Sequence, residues 1–115
     1  MQNREGIVAS PDVIKPLVIR SLRRSNVRKK IAEYLFDISP SSSYTSDIAY
    51  NVKTTPTNVI GAIRGMSSRY RDDNSLIRLN IVEQIDSTSR DIKLYRITDF
   101  GKEIISIFRD NKSKS

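Results

Sequence analysis

The sequence contains no cysteine and no histidine, and these absences exclude several kinds of chemistry. Without cysteine the chain forms no disulfide and offers no thiolate nucleophile or redox sensor. Without histidine, general-base catalysis loses its commonest agent, and a zinc site would need carboxylates alone. There is also no glycine-rich phosphate loop. We therefore expect a protein that is not an enzyme and that holds no metal or other cofactor.

Long apolar runs are missing as well. No segment approaches the roughly 20 apolar residues that a membrane-spanning helix needs, and the N-terminal MQNREG lacks the pattern of a signal peptide. We expect no membrane association and a cytoplasmic, nucleoid-associated location. A chain of 115 residues suits a single domain over residues 1–115, with residues 1–9 and 110–115 expected to be flexible.

Positive charge is abundant, and it is concentrated in one part of the chain. The net charge is +7, and residues 13–36 hold seven lysines and arginines against the single acidic residue Glu33. A local excess of this kind attracts polyanions and makes their binding depend on salt. A solvated helix face would explain the same charges without a partner. We favour nucleic acid, because a helix-turn-helix pattern follows this segment.

Residues 44–70 carry that helix-turn-helix pattern. Thr45 or Ser46 is expected to cap a short helix with Ile48, Ala49 and Val52 on its apolar face. After a turn at residues 53–54, Thr55 provides a second cap and Pro56 occupies the first helical position. A longer second helix is predicted to follow, with an apolar stripe made of Val59, Ile63, Met66 and Tyr70.

The opposite side of that second helix is polar, basic and partly very small, which suits a helix that enters the DNA major groove. Arginine can bond guanine at two atoms, and asparagine can do the same with adenine. Gly61 and Gly65 are expected on this face, where they indicate close approach of a phosphate backbone or of another helix. The predicted base-reading residues are Thr55, Thr57, Asn58, Gly61, Arg64 and Ser68. The predicted phosphate and wing contacts are Arg23, Arg24, Arg28, Lys29, Lys30, Lys53, Arg69 and Arg90.

Further helices and strands are predicted on either side of this pattern. A helix runs from about residue 11 to Leu22, with Pro16 either in its first turn or delaying its start to about residue 15. A second helix is capped by Ser25 or Asn26 and ends near Ile38. The remaining predictions are a short strand at 43–44, a helical turn at 75–79 with a left-handed Asn80, strands at 81–86 and 92–98, and a last helix capped by Thr98 or Asp99.

Several short motifs in this order resemble those of one known family. Residues 95–103, YRITDFGKE, resemble the strand-to-helix junction Y-R-L-T-x-x-G-K/R of winged helix-turn-helix transcription regulators. Residues 79–83, LNIVE, resemble that family's L-G-L-V-E entry to the wing, with Asn80 replacing glycine. The segments SPDVIKP, LRRSNVRKKIAEYL and PTNVIGAIRGM are similar to those of archaeal members.

The resemblance implies an α+β, mainly helical fold: a three-helix core, a β-hairpin wing at residues 81–98, and extra N-terminal and C-terminal helices. It also implies a transcription regulator that binds specific double-stranded DNA as a homodimer. The apolar excess of residues 13–22 and 100–108 indicates a dimer too, although the first helix can equally serve to cover the core. The alternatives are a non-specific chromatin- or RNA-associated protein and a winged-helix protein-interaction module.

Overall fold

The computed structural model describes residues 11–65, 75–86 and 92–114, and side chains from Ile14 to Asp110 within these ranges. This part of the chain is α+β and mainly helical, as predicted, with five helices and a three-stranded antiparallel sheet. The helices are α1 (Pro11–Arg23), α2 (Asn26–Ile38), α3 (Thr45–Val52), α4 (Pro56–Arg64) and α5 (Asp99–Lys114). The strands are β1 (Ser43–Tyr44), β2 (Val82–Asp86) and β3 (Lys93–Ile97). None of the described helices is long and apolar enough to cross a membrane.

The first two helices begin and end close to their predicted positions. The Ser25 side chain caps α2 by accepting a hydrogen bond from the Arg28 backbone N–H at 3.2 Å, as predicted. Pro16 corrects the expectation for α1, because it lies inside the helix and neither in the first turn nor at a delayed start. Its missing N–H removes one bond from the helix, so α1 depends on packing. That packing comes from Val18 and Leu22, which are buried in the core.

Helix α3 is fixed by a small polar network on Asp47. The Asp47 carboxylate accepts a hydrogen bond from Ser43 Oγ of β1 at 2.8 Å and another from the Tyr34 hydroxyl of α2 at 3.1 Å. Partial burial, together with the neighbouring Asp47 carboxylate, raises the pKa of Tyr34. The predicted cap at Thr45 or Ser46 is wrong: α3 begins at Thr45, and its N-cap Tyr44 makes no side-chain capping bond.

Helix α4 has the predicted start but not the predicted length. Thr55 caps it and Pro56 occupies its first turn, but the helix ends at Arg64 because Gly65 has φ 89°. Gly65 is therefore the helix terminus, not a member of an exposed helical face. The last carbonyls of a helix lack partners within it. Here the Ala62 and Ile63 carbonyls accept hydrogen bonds from the backbone N–H groups of Leu76 and Ile77, at 2.9 and 3.0 Å.

The sheet has strand order β1-β3-β2 and is antiparallel throughout. Ser43 pairs with Tyr95 across β1 and β3, and Val82 pairs with Ile97 across β2 and β3. Residues 75–80 form the predicted turn before β2, and Asn80 has the predicted left-handed conformation with φ 62°. Both strands are one or two residues shorter than predicted. The predicted hairpin tip at residues 87–91 lies outside the described residues.

One threonine joins the end of β3 to the start of α5. Thr98 Oγ1 accepts a hydrogen bond from the Gly101 backbone N–H at 2.8 Å and donates one to the Asn80 carbonyl at 2.6 Å. Thr98 is thus one of the two caps predicted for the last helix. A Cβ atom on Gly101 would collide with the Ile81 carbonyl and would lie 2.7 Å from Ile97 Cγ1. Glycine is therefore required where the first turn of α5 meets Ile81 and Ile97.

The core lies between the helices and one face of the sheet. Its largest fully buried side chains come from every helix, from the sheet and from the turn before β2: Leu22, Ile31, Leu35, Ile48, Val59, Ile63, Leu76, Ile81, Val82, Tyr95, Ile104 and Ile105. The apolar residues of α5 are thus largely covered within one chain, which removes part of the reason for predicting a dimer. On α1, Leu17 is 56% exposed.

Helix α5 extends into the C-terminal segment 110–115, for which flexibility stays a prediction. Residues 110–114 continue the helix, which ends at Lys114, and Ser115 lies outside the described residues. The helix is held against α2 by an ion pair at 2.8 Å between Arg109 and Asp37, and the Arg109 guanidinium lies 4.8 Å from the centre of the Phe36 ring. Through these contacts, the C-terminal part of α5 near Arg109 packs against α2.

We expect Gly101→Ala to lower the free energy of unfolding by about 1–3 kcal/mol, because the new methyl group meets a backbone carbonyl that has little freedom to move. Urea denaturation followed by circular dichroism measures the change. Ser106→Ala, on an exposed position of the same helix, is the matched control and should change stability by less than about 0.5 kcal/mol. Equal stability of the two variants would refute the requirement for glycine at position 101.

Candidate nucleic-acid interface

The exposed side of α4 is the strongest candidate for a nucleic-acid interface. Val59, Ala62 and Ile63 face the core, so the opposite side of the helix faces solvent. Thr57 and Arg64 are exposed on this side, with Gly61 between them and Ile60 beside them. On a helix, residues three or four positions apart are neighbours at about 5–6 Å between Cβ atoms. We call Thr57, Ile60, Gly61 and Arg64 the α4 face.

Two of the predicted base-reading residues make hydrogen bonds to other residues of the chain. Thr55 Oγ1 accepts a hydrogen bond from the Asn58 backbone N–H at 3.1 Å and so serves first as the helix cap. The Asn58 side-chain amide donates a hydrogen bond to Thr54 Oγ1 at 2.9 Å. Asn58 keeps a second amide hydrogen and its carbonyl oxygen for a ligand. Thr55 is therefore a less suitable reader than Thr57, whose exposed hydroxyl lies two residues further into the helix.

Lys53 lies at the turn between α3 and α4. Its backbone is left-handed, with φ 61°, and its side chain is exposed. The N-terminus of α4, which carries partial positive charge, follows two residues later. Lys53 and Lys30 line the same open cleft between α2 and α3, together with Glu33. The structure thus brings Lys30 of the basic N-terminal segment near the turn between α3 and α4.

The other predicted phosphate contacts cluster where α1 meets α2. Arg23 and Arg24 are both exposed, and the Arg23 guanidinium lies 5.6 Å from the centre of the Phe108 ring. Lys29 is half-buried. Arg28 is half-buried too, its Nη1 has no hydrogen-bond partner, and burial lowers its pKa. An unpaired guanidinium nitrogen is costly when it is removed from water, so an anion beside Arg28 would be stabilising.

Arg64 gives the α4 face a positive charge, and the ion pairs between described residues lie elsewhere in the structure. They join Lys15 to Glu103, Arg96 to Glu83, Lys102 to Asp99 and Arg109 to Asp37. These arginines and lysines were not predicted to contact DNA. Arg64, Lys53 and Arg24 make no ion pair with any described residue, so their charges are available to a ligand.

Three predicted residues, Ser68, Arg69 and Arg90, lie outside the described residues. Ile60 is a residue that sequence reasoning missed on the α4 face. The signal was present, because Ile60 follows Thr57 by three positions and precedes Arg64 by four. Ile60 belongs neither to the predicted apolar stripe nor to the predicted polar face of this helix.

Comparison with known proteins identifies related sequences. A model of the EarA-like family matches residues 18–108, which include all of α2, α3, α4 and the sheet. An uncharacterized protein of Methanocaldococcus jannaschii is 40% identical over 100 residues, covering 87% of this chain and 88% of the relative. No solved structure gives a significant match.

We expect Thr55→Ala to lower the free energy of unfolding by about 1 kcal/mol, because the cap of α4 is lost. Thr57→Ala is the matched control: the same change two residues later removes an exposed side chain that makes no capping bond. Its stability should equal that of the parent protein or slightly exceed it, since alanine favours helix. Thermal unfolding of both variants checks the difference, and a reversed order would refute the assignment of the cap.

Proposed function

We propose that this chain, which belongs to the EarA-like family, is a winged helix-turn-helix protein that binds specific double-stranded DNA and regulates transcription as a dimer. The observation that carries the proposal is the α4 face. It is a solvent-exposed helical surface with a cation, a hydroxyl and a glycine, and it directly follows a tight turn from another helix. This combination suits a recognition helix, because arginine and threonine can contact base edges in the major groove.

The order of helices and strands supports the winged-helix assignment. Helices α2, α3 and α4 pack around one core, and the β2–β3 hairpin follows α4. A hairpin in that position is a wing, and the β1 strand between α2 and α3 pairs with its inner strand β3. Helices α1 and α5 are then the additional N-terminal and C-terminal helices.

The charges support nucleic acid over a neutral protein partner. Arg64 lies on the α4 face and Lys53 lies in the turn that leads to it. Arg24 and Lys30 add exposed positive charge from the α1–α2 region. Phosphate contacts of this kind supply affinity without sequence information, while contacts to base edges supply specificity. We therefore assign base reading to the α4 face with Asn58, and phosphate binding to Lys53, Arg24 and Lys30.

The experiment is selection of a preferred duplex from random DNA, followed by affinity measurement on that duplex and on random duplex. We expect Arg64→Ala to weaken binding to the preferred duplex by about 1–3 kcal/mol and to change binding to random DNA little. The reason is that a bidentate contact to guanine exists only at the correct base. Fluorescence anisotropy titrations at several salt concentrations provide both affinities.

Arg24→Ala is the matched control, because it removes the same charge from an exposed position on a separate surface. This variant should weaken binding to both duplexes alike and reduce the slope of log affinity against log salt by about one. Unchanged discrimination by Arg64→Ala would remove Arg64 from base reading. Equal affinity for selected and random duplexes would favour a non-specific chromatin- or RNA-associated protein, and no binding to any duplex would favour a protein-interaction module.

We expect the protein to sediment as a dimer at tens of micromolar and to select palindromic sites with half-sites about one helical turn apart. The 56% exposed Leu17 of α1 marks the surface we assign to the dimer contact. Leu17→Glu should therefore shift the protein towards monomer, because it places a charge in an apolar interface. Tyr50→Glu changes an 82% exposed position of α3 and should leave the dimer unchanged. A parent protein that sediments only as a monomer would contradict the dimer.

A further inference from the structure

Ile60 is the one large apolar side chain of the α4 face, and it is 44% exposed. Single exposed apolar residues are common on protein surfaces, so exposure alone carries no conclusion. The position of Ile60 is what matters. It lies one helical turn from both Thr57 and Arg64, on the side of α4 that faces away from the core.

In a major groove, a side chain at this position meets the edges of base pairs. Those edges present hydrogen-bonding atoms and a single kind of apolar group, the 5-methyl group of thymine. Isoleucine has no hydrogen-bonding atom and can gain free energy there only by covering that methyl group. Over guanine, cytosine or adenine it would instead remove water from polar atoms without replacing their bonds.

The neighbouring Gly61 allows such a contact to form. It has no side chain to hold the helix away from the groove, and it lies next to Ile60 along the chain. Arg64, one turn further along, provides hydrogen bonds that an isoleucine cannot make. The α4 face therefore combines an apolar contact with a polar contact on the same surface.

From this arrangement we infer that α4 reads thymine through its 5-methyl group and that Ile60 determines this preference. The inference rests on the proposed DNA binding and adds to it the base that one side chain recognises. It makes Ile60 a specificity-determining residue that the polar pattern of the sequence does not reveal.

The experiment uses the selected duplex with each thymine replaced in turn by deoxyuridine. Deoxyuridine keeps every hydrogen-bonding atom of thymine and lacks only the methyl group. We expect one thymine per half-site whose replacement weakens binding by the parent protein about fourfold, the effect of one buried methyl-sized group. With Ile60→Ala the same replacement should change binding by less than about twofold, because the contact is already lost.

Ile92→Ala is the matched control, since Ile92 is an isoleucine of similar exposure, 47%, that lies outside α4 just before β3. It should retain the fourfold effect of deoxyuridine whatever its overall affinity. Ile60 is exposed and alanine favours helix, so Ile60→Ala should keep the circular dichroism spectrum of the parent.

Two results would overturn the assignment of Ile60 while leaving DNA binding intact. One is a parent protein that binds every deoxyuridine duplex as tightly as the thymine duplex. The other is an Ile60→Ala variant that still loses fourfold at the same position. Failure of the parent to bind any duplex is a distinct result, which would refute the proposed function and this inference together.

Discussion

Thr98 is the residue at which hydrogen bonds from the last helix, the end of β3 and the turn before β2 meet. It joins the Gly101 backbone N–H to the Asn80 carbonyl, and the Thr98 backbone N–H bonds the Ile81 carbonyl at 2.9 Å. The Ile81 N–H in turn bonds the Leu76 carbonyl, and the Leu76 N–H bonds the Ala62 carbonyl at the end of α4. A path of hydrogen bonds therefore runs from the start of α5 to the C-terminus of α4.

The two ends of α4 are consequently supported in different ways. The C-terminal end is bonded to residues far along the chain, and its core-facing side chains Val59 and Ile63 are fully buried. The N-terminal end is held by the Thr55 cap, by the hydrogen bond from the Asn58 amide to Thr54 and by the buried Val59. The α4 face is exposed along the whole helix, from Thr57 near the N-terminal end to Arg64 at the C-terminal end.

Local signals made much of this fold predictable. The caps Ser25 and Thr55, the proline at the start of α4 and the left-handed Asn80 each depend on a few adjacent residues, so the sequence contains enough information to place them. The polar residues of the α4 face could also be predicted by counting along the helix, with Arg64 and Thr57 exposed as expected.

Other features depend on contacts between distant residues and could not be read from a local pattern. Apolar periodicity predicts that α4 continues to Tyr70, yet the helix ends at Arg64, and the carbonyls of Ala62 and Ile63 in its last turn bond Leu76 and Ile77. Pro16 is tolerated inside α1 because Val18 and Leu22 pack one side of the helix into the core. The apolar side of α5 was assigned to a second subunit, since nothing local shows that α1 and α2 of the same chain already cover it.

Because α4 ends at Arg64, a surface built on this helix is short and could contact few base pairs. A helix of nine residues is about 14 Å long, which spans about four base pairs of a duplex. A word of that length recurs by chance every few hundred base pairs, whereas a genome offers on the order of a million or more competing positions. Under the proposed DNA binding, one such helix is too short to specify a unique genomic site, so several copies have to bind together. The spacing between the bound copies would then add to the specificity that base contacts provide.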